Sequence, residues 1–166
     1  MEPNGGRMKR IITFSAACAL FAATLSAAPV RETVHVVIDN GPNAGKYDAE
    51  TDRGGCSAGL TGVGSWGNQF SLPKDQHPKK FNSLQLIVPN EQSALRGTPD
   101  FELHVRFGPI LKRSAEYEIL TAKGKGSGTV TVADHGTTAI VTFEGTTAAG
   151  VKMHGTIDCK SVLRGH

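Results

Sequence analysis

The 166 residues carry 18 basic and 15 acidic side chains, a formal net charge of +3 with histidine neutral. Residues 1–28 hold Arg7, Lys9, Arg10 and Glu2, so the remainder has 15 basic and 14 acidic residues. That balance is too even to support nucleic-acid or anionic-membrane binding. The length suits one domain, and 20 glycines with abundant Thr and Val favour an all-β chain with many turns.

Residues 1–28 read as a secretory signal peptide behind a short N-terminal extension. Met8-Lys9-Arg10 is a positive region, Ile11 to Leu25 is uncharged and largely apolar, and Ser26-Ala27-Ala28 are small residues suited to cleavage. The apolar run is shorter than the ~20 residues that a membrane-spanning helix needs. Cys18 lies inside that run rather than after it, which speaks against a lipoprotein anchor. The expectation is export to the periplasm or the outside of the cell, with no transmembrane segment in the mature chain. Residues 29–166 then form a single domain.

Arg31 to Asp39 alternates, with Val34, Val36 and Ile38 on one parity, and predicts a first strand. A turn cluster from Asn40 to Gly45 leads to a short strand over Lys46 to Glu50. Asp52 to Gly67 reads as a long Gly-rich loop carrying Cys56 and Trp66, followed by a short strand over Gln69 to Leu72. Pro73 to Lys80 is a polar loop, Ser83 to Val88 a strand, and Asn90 to Asp100 a loop with a helical turn at Glu91 to Leu95. Phe101 to Phe107 alternates cleanly, and Ala115 to Ala122 is a strand with Tyr117 and Ile119 inward. Three strands close the chain, over Gly128–Ala133, Thr138–Glu144 and Gly150–Cys159, and Lys160 to His166 is expected to fray. The pattern predicts a single-domain antiparallel β-sandwich, Ig-like or jelly-roll-like, with a small β-barrel as the alternative.

Beyond residue 28 two cysteines remain, Cys56 and Cys159. In an exported chain an even count predicts a disulfide. Its loop of roughly 100 residues would stabilise the fold by ~4–5 kcal/mol in the chain-entropy model. An early Cys joined to one in the closing strand resembles the layout of many small exported bacterial β-sandwich proteins and lipoproteins. That resemblance is architectural and carries no site with it.

The chemistry-bearing residues form no catalytic constellation. Gly62 to Gly67 matches G-x-G-x-x-G but lacks room for the helix that a nucleotide fingerprint needs. Asp48, Glu50 and Asp52 alternate like a calcium loop, but Arg53 and Gly59 stand where Gly and Glu are required. His35, His104 and His154 each take the polar parity of a strand and would form a metal site if those strands were neighbours. Asp134-His135 sits in a turn with no nucleophile elbow. Lys74, His77, Lys79 and Lys80 form a basic loop without an aromatic platform. Trp66 and Phe70 suit a binding anchor, or Trp66 covers the disulfide. Lys152, His154 and Asp158 mark the polar face of the last strand. The expected function is a non-enzymatic binding or interaction module for a protein or small-molecule ligand, without nucleic acid or cofactor. Its contact surface would be the strand edges or the Gly54–Gly67 stretch. The alternatives are a ligand or lipid carrier with an internal cavity and a metal-dependent or serine hydrolase.

Overall fold

The computed structural model describes residues 29–60, 62, 64–72, 80–89, 100–109, 111 and 113–165. The expected signal peptide, the polar loop over 73–79 and the helical turn over 91–95 lie outside these residues. Eleven strands are present among the described residues: β1 (Glu32–Ile38), β2 (Gly45–Thr51), β3 (Gly54–Ala58), β4 (Trp66–Ser71), β5 (Phe81–Val88), β6 (Glu102–Phe107), β7 (Ala115–Leu120), β8 (Ser127–Asp134), β9 (Ala139–Thr146), β10 (Lys152–Cys159) and β11 (Val162–Arg164). They form a five-stranded sheet, ordered β2-β1-β10-β9-β8, and a six-stranded sheet, ordered β11-β3-β4-β5-β6-β7. The two sheets pack as a sandwich and do not close into a barrel.

Apart from β1 beside β10 and β11 beside β3, neighbouring strands follow one another in sequence within each sheet, as short turns require of antiparallel pairs. The closing stretch is such a meander, β8-β9-β10, and its last strand pairs with β1. In β10 Met153, Gly155, Ile157 and Cys159 face the core and Lys152, His154 and Thr156 face water, the period of two that a half-buried strand demands. Gly155 has to be glycine: a Cβ there would lie 2.2 Å from the His35 carbonyl oxygen and 2.7 Å from the Phe143 ring.

Two segments differ from the sequence expectation. The Gly-rich stretch contains β3, which pairs with β4, and β4 begins at Trp66. The C-terminal residues do not fray at once, because β11 runs parallel to β3, with Val162 opposite Cys56. Pairing with a neighbour supplies the order in both segments, since neither has an apolar alternation of its own.

The core fills the space between the sheets. Phe70, Phe81, Phe107 and the partly buried Tyr47 and Tyr117 form one aromatic cluster, with Phe70 and Phe81 stacked at 5.5 Å and Tyr47 edge-on to Phe107 at 5.0 Å. Both tyrosine hydroxyls donate to Asn43, one to its carbonyl oxygen and one to its Oδ1. Away from this cluster, Cys56 and Cys159 form a disulfide with Cα atoms 5.9 Å apart. Glu32 lies opposite Cys159 on β1, and Asn68 lies opposite Cys56 on β4. The Asn68 amide donates to Glu32 Oε1. A covalent bridge and a hydrogen bond therefore join the same two pairs of strands, side by side.

Candidate functional site

β3 opens with Gly54-Gly55, and the first of these is dictated by the fold. Its φ is +95°, and a Cβ would come within 1.9 Å of the Gln69 carbonyl oxygen. The strand therefore presents bare backbone beside the disulfide. Around it stand Val30 just before β1, Leu60 just after β3 and Leu163 in β11. They are 40%, 51% and 65% exposed, three of the five large hydrophobic side chains that are exposed among the described residues. With Gly54, Gly55 and Ser57 they line an open trough of about 690 Å³. Arg31 and Lys160 also line it, and among the described residues no carboxylate does.

The free edge of β11 is covered. Val162 N–H donates to the Thr137 carbonyl oxygen at 3.0 Å, and Arg164 Nε donates to the Gly136 carbonyl oxygen at 2.9 Å. Arg164 also pairs with Asp134. The β8–β9 turn thus blunts this edge against strand addition. The trough offers side-chain contact: apolar surface over a backbone floor, with positive charge at the rim. Burying apolar area there stabilises a complex by ~25 cal/mol per Å² before the costs of association.

Trp66 and Phe70 are core residues, 1% and 0% exposed, so neither is the surface anchor expected from the sequence. Trp66 follows the inward parity of β4, two residues from Asn68, the residue opposite Cys56. The strand that starts at Trp66 also occupies the place where a nucleotide fingerprint would need a helix.

Lys152 and His154 lie on the outer face of the five-stranded sheet. His154 is opposite Val37 on one side and Glu144 on the other, and its Nδ1 is 3.4 Å from Asp39 Oδ2. One strand row away, Asp48, His35, Thr156, Thr142 and Thr131 are consecutive cross-strand partners, with His35 paired to Asp48. His35 and His154 line one shallow depression of about 400 Å³. His104 does not join them. It sits on β6 in the other sheet, and the outer faces of a sandwich point away from each other. The three-histidine metal site is therefore not assembled.

His104 instead meets Glu116 and Glu118 of β7, the three offering ligand atoms within 4.8 Å of one another. Glu116 is already engaged: Arg106 Nε donates to its Oε1 at 2.5 Å and Arg113 Nη1 to its Oε2 at 2.7 Å. Two guanidiniums on one carboxylate disfavour a cation at the same oxygens. Asp48 and Glu50 are exposed on β2, and Asp134 accepts the Gly136 N–H as a turn residue. The basic loop over 74–79 lies outside the described residues.

The Gly54–Gly67 stretch named from the sequence supplies the floor of the trough and Leu60, but sequence reasoning missed Val30 and Leu163, which stand singly in polar segments with no periodicity. It also missed Glu32, although a carboxylate on the parity of Val34, Val36 and Ile38 was a legible signal. Among the described residues, no helix is long and apolar enough to cross a membrane. No family profile, no curated protein and no solved structure matches the chain.

Proposed function

We propose that the chain is an exported, non-enzymatic β-sandwich module that binds a protein partner through the trough between β3 and β11, in the periplasm or outside the cell. The disulfide fits an oxidising compartment. The observation that carries the reading is the gathering of Val30, Leu60 and Leu163 over the bare backbone of Gly54 and Gly55. A partner segment with apolar side chains and an acidic flank matches this surface, because Arg31 and Lys160 stand at its rim. An internal carrier has less support, since Trp66, Phe70, Phe101, Phe107 and Phe143 fill the interior.

Leu60→Asp combined with Leu163→Asp tests the reading, because both side chains are exposed and the fold does not depend on them. In cells that export the chain, in-cell cross-linking is expected to give an adduct with the native chain and with Ile140→Asp on the opposite sheet. The double variant should lose at least about tenfold of it, the size expected when a central apolar contact worth ~1.4 kcal/mol or more is removed. An undiminished adduct from the double variant overturns the proposal.

A further inference from the structure

The outer face of the six-stranded sheet holds a second, chemically different depression. β5 is irregular there: Phe81 faces Phe107 and Ser83 faces Arg106, so Asn82 is the additional residue of a β-bulge. Bulges re-aim side chains and recur beside binding sites. Here the bulge leaves Asn82 and Ser83 buried at the floor of a cavity of about 230 Å³. Ser71, Gln69, Arg106 and Arg113 complete its polar lining, and no carboxylate is among the described residues that line it. Gly108, with φ of +82°, turns the chain at its edge.

Glu116 stands behind the two arginines and holds both, through Arg106 Nε and Arg113 Nη1. Burial would raise its carboxyl, but the hydrogen bonds and charges of Arg106 and Arg113 more than reverse this and keep it below the ordinary value. It is ionised at neutral pH; it and Glu118, its neighbour across His104, are not among the residues that line the cavity, whereas both guanidiniums are. Among the described residues, the remaining N–H groups of both guanidiniums make no hydrogen bond. The guanidiniums are thus positioned before any ligand arrives, beside serine hydroxyls that also donate.

We propose that this cavity binds a small oxyanion, a sulfate, phosphate or carboxylate group, between Arg106 and Arg113 over Ser71 and Ser83. The test is an amide-resolved NMR titration of the full chain with inorganic sulfate, inorganic phosphate and acetate in separate arms, at an ionic strength held constant with chloride. At least one arm should give saturable shifts at Ser83, Gly108 and Arg113. Saturation by sulfate or phosphate alone identifies a tetrahedral oxyanion site, and saturation by acetate alone a carboxylate site. Arg113 is exposed over about half of its side chain, 46%, so Arg113→Gln should fold normally and weaken binding about tenfold or more, the loss expected for a hydrogen bond to a charged group, with Arg113→Lys between the two. Linear shifts in all three arms, or native affinity in Arg113→Gln, overturn the proposal.

Discussion

Glu32 occupies an inward position of β1, where Val34, Val36 and Ile38 are its companions. Burial pushes its carboxyl up to about 7, against the opposing pull of the hydrogen bond from Asn68. Its Oε2 and the Asn68 Oδ1 are both buried and lack a partner in the structure. A proton on Oε2 supplies the donor that Asn68 Oδ1 lacks, so one protonation answers two unsatisfied groups. The groups that face Glu32 are Thr51 from β2, the disulfide from β10 and β3, and Asn68 from β4, and none of these is charged. The folded chain holds this proton up to about 7, whereas the unfolded chain releases it near 4.5. Its contribution to stability is therefore full below 4.5 and falls as pH rises through that window, by roughly 3–3.5 kcal/mol. Thermal melts of the native chain should show this loss between pH 5 and pH 8. Glu32→Gln, which keeps both amide-compatible positions without a charge, should flatten the profile and melt higher than the native chain at pH 8. An equal slope in both proteins would show that Glu32 is not the group responsible.

At the scale of the strand, legibility followed periodicity. β10 could be read because Met153, Ile157 and Cys159 alternate with Lys152, His154 and Thr156, and β6 because Leu103, Val105 and Phe107 do the same. β3 reads Gly-Gly-Cys-Ser-Ala, a composition that local propensity assigns to a loop, and β4 is what makes it a strand. β11 is three residues long and depends wholly on its neighbours. It is held by Val162 N–H to Thr137, by Gly165 N–H to the Ala58 carbonyl oxygen at 2.8 Å, and by Arg164 to the β8–β9 turn. Of the candidate site only the Gly54–Gly67 part was legible, because Val30 and Leu163 come from segments that only tertiary pairing brings beside it. A chain ending at Lys160 should keep the disulfide yet lose about 1–3 kcal/mol, as a few net hydrogen bonds are removed. Amide exchange at Cys56 to Ala58 should quicken in the same chain. Unchanged protection there would mean that β11 does not order β3.

Across the whole molecule, the sheets are joined at one end by two adjacent bridges, Cys56–Cys159 and Glu32–Asn68, and elsewhere by the aromatic cluster around Phe81 and Phe107. The covalent bridge closes a separation of 103 residues, for which the chain-entropy model gives a stabilisation of ~4–5 kcal/mol. This tether fixes β3 and, through it, the floor of the apolar trough, so the stapled end of the sandwich is also the end with the proposed contact surface. The anion-binding cavity has its own chemistry and its own residues, Arg106 and Arg113, on the outer face of the six-stranded sheet. The most direct test of the contact surface is site-specific photo-cross-linking in exporting cells, with benzoylphenylalanine placed in turn at positions 60, 163 and 140. Positions 60 and 163 should give the same discrete adduct, while position 140, exposed on the five-stranded sheet, should give none. Equal labelling from all three positions, or an adduct from position 140 alone, would contradict a partner seated between β3 and β11.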